Sequence, residues 1–147
     1  MVWGCFSRSG TGPLVRIDTI MDRFVYRDIL RNHMLPYAEE EMPLRWEFQQ
    51  DNDPKHKSRL IQNWFSENNV PVMEWPSQSP DLNPIENLWD HLDRKIRNHK
   101  ISNKDELFAV IQNEWSSISK DFCASLVDSM ARRCTAVISA KGYATKY

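Results

Sequence analysis

Phe48-Gln-Gln-Asp51-Asn-Asp-Pro-Lys-His56 and Ser79-Pro-Asp-Leu-Asn-Pro-Ile-Glu86-Asn-Leu-Trp89 bracket the part of this chain whose reading decides its fold. The first segment ends a short run with strand character in Asp51, and the second opens an amphipathic helix at Glu86. Both carboxylates therefore stand where regular structure begins or ends, with 34 residues between them (52–85). Mg²⁺ takes hard oxygen ligands, and carboxylates carried on separate rigid elements can hold such ions against a phosphodiester.

Working outward, Arg45 to Gln50 is expected as a short strand carrying Trp46 and Phe48. Ser58 to Asn68 is helical, with Leu60, Ile61, Trp64 and Phe65 on one face and Asn68-Asn69 as its stop. Val70 to Trp75 is a second strand. Three prolines between residues 76 and 84 forbid regular structure, and Asn83-Pro84 then sets the N-cap and first position of a helix that buries Ile85, Leu88, Trp89, Leu92 and Ile96. Upstream, residues 1–17 read as a hairpin around the turn Arg8 to Pro13. A helix starts near Asp22 with Tyr26, Leu30 and Met34 inward, and Pro36 and Pro43 limit its extent. Downstream, helices are expected over Asp105–Ile118 (Leu107, Val110, Ile111 and Trp115 inward) and Phe122–Ala140 (Leu126, Met130 and Val137 inward), the last ended by Gly142. Early strands, late helices and β-α-β in the middle indicate one mixed α/β domain over residues 1–147.

Composition narrows the partners. Lys and Arg number 19 against 20 Asp and Glu, so any contact with nucleic acid must be local. Cys5, Cys123 and Cys134 form no CxxC pair and are odd in number, which reads as three small buried apolar residues rather than a disulfide scaffold. No apolar run has the length of a membrane span, and no signal-peptide pattern follows Met1.

The Gln50-to-His56 motif, the 34-residue gap and Pro80-Asp-Leu-Asn-Pro-Ile-Glu86-Asn-Leu-Trp89 resemble the Tc/mariner superfamily of cut-and-paste DNA transposases, and the likeness runs from Met1-Val-Trp-Gly4 to Lys141-Gly-Tyr143. The resemblance implies an RNase H-like catalytic domain, a mixed sheet flanked by helices. Its Asp-Asp-Glu triad binds two Mg²⁺ (or Mn²⁺) ions, cleaves DNA at transposon ends and joins the 3′-OH to target DNA. Asp51 matches the second Asp and Glu86 the Glu. The first Asp, on the central first strand of the family, has no counterpart here, and neither has the N-terminal helix-turn-helix region. On this reading the chain lacks the bridging metal ligand, and as an isolated chain it is expected to bind metal weakly and not to nick or join DNA. The resemblance further implies transposon-end and target DNA, a homodimer or a full-length transposase as partners, and a nuclear location.

Each residue also has a plainer reading. Glu86 lies three residues after Asn83 and could be the acidic member of a capping box. Asp51 could be a turn residue bonded to its own backbone. Their conjunction at this spacing favours the metal site. Lys55, His56, Lys57 and Arg59 form a basic group beside Asp51 suited to a DNA backbone; His56 could instead orient an Asp, although a lone loop histidine is more often simply exposed. Arg94, Lys95, Arg97 and Lys100 read as a solvated helix face, Asp53 as a solvated turn residue and Asp81 as a loop-ordering one. Glu47 would place a charge inside a strand, which is costly unless paired. Two alternatives stay open: a non-catalytic relic that binds DNA or a partner transposase, and an unrelated α/β protein whose Asp and Glu are structural.

Overall fold

A computed structural model of the protein describes residues 1–76, 82–141, 143 and 145. Asp81 and Gly142, singled out from the sequence, lie outside the described residues. The opening hairpin is present as β1 (Val2–Ser7) and β2 (Gly10–Arg16). Gly10 sits at φ 138°, a conformation that L side chains rarely adopt, which is why the turn ends on glycine. Reciprocal backbone hydrogen bonds between Met1 and Ile17 close the open end (2.9 and 3.3 Å).

Residues 23–41 form one continuous helical run; of the two prolines expected to limit it, Pro36 is passed and Pro43 follows its end. It comprises α1 (Arg23–Ile29), a π-helical turn (Leu30–Met34) and α2 (Leu35–Glu41). Asp22 caps α1, its carboxylate accepting from the amides of Phe24 and Val25. Pro36 lacks an N–H and would clash with the carbonyl four residues back in a regular helix. Here it stands at the start of α2, where the preceding π turn has shifted the hydrogen-bond register. Met42, next to Pro43, turns extended (φ −94°, ψ 151°) as a pre-proline residue must, and the helix ends there.

The strands expected at Arg45–Gln50 and Val70–Trp75 reduce to a single parallel bridge, Phe48 to Val72. Two hydrogen bonds make it: the Phe48 amide donates to Pro71 O (2.7 Å) and the Met73 amide to Phe48 O (2.9 Å). Pro71 has no N–H to extend the ladder, and among the described residues the named sheet contains β1 and β2 only. Glu47 is consequently exposed rather than buried in a central strand. Between the bridge residues runs α3 (Arg59–Glu67), stopped as expected at Asn68-Asn69. Asn69 takes the left-handed conformation (φ 52°), and the Val70 amide reaches back to Phe65 O (2.9 Å).

The C-terminal half is helical: α4 (Pro84–Ile96), α5 (Lys104–Ser116), α6 (Lys120–Asp128) and α7 (Met130–Ser139). The last two were expected as one helix. Ser129 divides them, its hydroxyl bonding back to Leu126 O at 2.6 Å and competing with the backbone ladder. Met130 and Val137 are half-buried, and the buried residue of α7 is Arg133.

The contacts group into two compact units, Met1–Trp3 with Val15–Gln78 and Gly4–Leu14 with Ser79–Tyr147. The first is built on Tyr26, Leu30, Met34, Ala38, Ile61, Trp64, Phe65 and Val70. The second is built on Leu88, Leu92, Trp115, Ile118, Cys123 and Leu126. In the second, Trp89 stacks on Trp115 with ring centroids 5.0 Å apart, and the Trp115 indole N–H donates to Gly12 O (2.8 Å). Burying a side chain such as Leu30 or Leu88 contributes about 1.5–3 kcal/mol. Of the cysteines only Cys123 is fully buried; Cys134 is exposed, contrary to expectation, and all three are free. Burial pushes the half-buried Cys5 thiol up to about 12. Among the described residues no helix is long and apolar enough to cross a membrane.

Candidate active site

Asp51 lies at the mouth of a tight loop in the first unit, just after the bridge residue Phe48. Its Oδ1 accepts from the Asp53 amide (3.1 Å), which is the turn geometry that a lone Asp commonly adopts. The same oxygen meets His56 Nδ1 at 2.6 Å, a contact that a turn alone does not require. Oδ2 has no partner among the described residues, and half of the side chain is exposed. The loop is fixed at several points. The Tyr26 hydroxyl donates to Gln50 Oε1 (2.7 Å), and the Asn52 amide donates to the carbonyls of Trp75 (3.1 Å) and Pro76 (3.2 Å). The Lys57 amide closes the turn on Asp53 O (3.1 Å).

The four basic candidates separate. Lys55 is folded onto Asp53, with Nζ to Oδ2 at 2.8 Å and its backbone amide to Oδ1 at 2.8 Å. Burial pushes the Asp53 carboxyl up, but these hydrogen bonds and the nearby positive charge outweigh it and hold the group below its ordinary value. The His56 side chain is 14% exposed and its ring packs on Tyr26, centroids 4.2 Å apart. Lys57 and Arg59 remain exposed, with no side-chain partner among the described residues.

Glu86 stands in the first turn of α4 in the second unit, exposed. The capping-box geometry is missing. The Asn83 side chain makes no cap hydrogen bond, and the Glu86 carboxylate has no partner among the described residues. Pro84 at the helix start already removes one amide that would need capping. The helix start is held instead from α7: Arg133 Nη2 donates to Asn87 Oδ1 (2.7 Å) and Nε to Ser129 Oγ (2.8 Å). Arg133 was not singled out from the sequence. Its signal was spacing, since residue 133 falls seven after Leu126 on the inward face of an apolar pattern.

The remaining polar candidates are engaged structurally. Lys95 pairs with Glu114 (3.2 Å) and Arg97 with Asp93 (2.6 Å), in keeping with a solvated helix face. Upstream, Asp18 pairs with Arg16 and Asp22 caps α1. Among the described residues no three His, Cys, Asp or Glu side chains converge as a metal-holding group.

A family profile described as "DDE superfamily endonuclease" matches residues 2–108. This chain belongs to the Tc/mariner DDE transposases. It is 53% identical over 147 residues to the transposable element Tcb1 transposase of Caenorhabditis briggsae. Against the Tc1 transposase of Caenorhabditis elegans the identity is 50% over the same length. Each match covers 100% of this chain and 54% of the relative, so the chain spans about half the length of the curated transposases it matches. The catalytic domain of Mos1 mariner transposase superimposes with a TM-score of 0.88 at 16% identity, over 99% of this chain and 75% of that one. That likeness confirms the RNase H-like α/β fold expected for a Tc/mariner transposase. The same Mos1 protein has been solved in a paired-end complex with Mn, which matches 99% of this chain with a TM-score of 0.87.

Proposed function

We propose that this chain contributes to metal-dependent DNA cleavage and strand transfer in the nucleus, with Asp51 and Glu86 each acting as a ligand to divalent metal, Mg²⁺ or Mn²⁺. The observation that carries the reading is the state of Asp51. Inside the region that the family profile matches, one carboxylate oxygen is held by His56 and by the Asp53 amide, while the other has no partner among the described residues. Glu86 offers a second uncommitted carboxylate. Both are hard oxygen donors of the kind Mg²⁺ selects. When bound, such ions activate an attacking water or 3′-OH and stabilise the leaving oxygen of an in-line displacement. The protein's own share is positional: the loop pinned by Gln50, Asn52 and His56 presents Asp51, and the Arg133–Asn87 contact steadies the turn that presents Glu86. Lys57 and Arg59, exposed beside Asp51 and without a side-chain partner among the described residues, are suited to the phosphates of transposon-end and target DNA.

With two candidate carboxylates, and no group of three His, Cys, Asp or Glu side chains that could hold an ion among the described residues, the 147-residue chain by itself is expected to bind Mn²⁺ weakly and not to cut. The test is Mn²⁺ titration of this chain and of Asp51→Ala and Glu86→Ala, alongside a strand-transfer assay. Weakened binding in both variants supports the metal assignment, and unchanged binding removes it. Strand transfer by the isolated chain, abolished by Asp51→Ala, would show that the ligand set is already sufficient.

The exposed Lys57 and Arg59 also favour a second reading, a module that binds DNA, alone or beside a full-length transposase, without cutting it. A salt-dependent gel shift in the absence of divalent metal supports that reading. No shift even at low salt removes it.

A further inference from the structure

We infer that His56 is a positioning residue for the Asp51 carboxylate rather than a contact to a DNA phosphate; this rests on Asp51 being a metal ligand, as proposed above. The ring's polar engagement is with Asp51. A carboxylate only accepts, so the 2.6 Å contact places the hydrogen on Nδ1 and makes the bond a short, charge-assisted one. The other ring nitrogen, Nε2, is enclosed and has no hydrogen-bond partner among the described residues. A phosphate would have to reach that nitrogen, and the protein covers it.

The ring is itself immobilised. Its face lies on Tyr26, whose side chain is fully buried in the first core. The Tyr26 hydroxyl also holds the side chain of Gln50, the residue before Asp51. One buried tyrosine therefore grips the chain on both sides of the carboxylate, through Gln50 directly and through the His56 ring. With the Asp53 amide on the same oxygen, Oδ1 is restrained from two directions and Oδ2 stays uncommitted. A carboxylate already fixed in rotation loses less freedom when it takes a cation, and removing such an outer partner typically costs metal affinity about 10–100-fold.

The test exploits the geometry of amides. His56→Asn puts an N–H near the place of Nδ1, whereas His56→Gln puts it near Nε2. Nitrogen-15 spectra of the wild-type chain, under conditions where the ring holds one hydrogen, are expected to find it on Nδ1. A ring carrying it on Nε2 overturns the inference, whatever the metal does. Mn²⁺ affinity is expected to stay within about threefold of wild type in His56→Asn and to fall about tenfold or more in His56→Gln and His56→Ala. Equal affinity in His56→Gln and wild type, with Asp51→Ala impaired, overturns it. So does a fall of about one in the salt slope of DNA binding on replacing His56, the mark of a lost phosphate contact. If Asp51→Ala binds Mn²⁺ as tightly as wild type, the metal reading fails instead, and the position of the ring hydrogen alone decides whether His56 holds Asp51.

Discussion

At the scale of single residues, the tightest constraint is Gly4 in β1. A Cβ there would meet the Trp89 indole at 2.9 Å and the Trp115 indole at 3.1 Å, and the two rings are already stacked on each other. Gly4→Ala is therefore expected to destabilise the protein by about 1–3 kcal/mol, read as a lower urea midpoint at unchanged slope. Asp53 gives a pH-dependent counterpart. Its folded value lies below the ordinary 3.8, so the unfolded chain takes up the proton first as acid is added. The stabilisation is fully present above the ordinary value and is lost as pH falls through the folded one. Asp53→Asn should remove that acid-side component, flattening the urea midpoint against pH in the acid range. An unaltered acid profile would show that the Lys55–Asp53 contact does not order the loop. The paired motifs made Asp51 and Glu86 candidates from sequence because residue type and spacing can be read along the chain. The partners that hold them were not, since Tyr26 is 25 residues from Asp51 and Arg133 is 47 from Glu86.

At the scale of elements, helix stops proved more readable than strand extents. Asn68-Asn69 ends α3 where expected because a left-handed residue is needed and Asn tolerates it. Asn69→Gly should change stability by less than about 1 kcal/mol, while Asn69→Val, with a branched Cβ at positive φ, should cost about 1–2 kcal/mol. Equal denaturation midpoints for the two variants would show that the turn relaxes. The segments at 45–50 and 70–75 have strand composition but shrink to one bridge, because a strand's length is set by its neighbours, and sequence does not show them. The helix through Pro36 erred in the other direction. A proline breaks a regular ladder, but not one whose register has been shifted by a π turn. The Phe122–Ala140 helix was drawn too long because Ser129 carries no breaker signal until its hydroxyl finds Leu126 O.

For the molecule as a whole, a net charge of −1 excludes a diffuse grip on DNA, so affinity should rest on few side chains. Replacing Lys57 and Arg59 together by Ala is expected to lower the slope of log affinity against log salt by about 2. A slope that does not move would place the DNA contact elsewhere. The two units keep separate cores, and among the described residues only the second contains two indoles stacked face to face. In the first core the corresponding neighbour of Trp64 is Phe65, edge-on at 5.4 Å. Closely stacked indoles couple their electronic transitions and split them into a pair of circular-dichroism bands of opposite sign, whereas an indole beside a phenyl ring does not. The pairing of Trp89 with Trp115 thus supplies an intrinsic optical label: the fading of that band pair during unfolding follows the Glu86-bearing unit alone, without any attached dye.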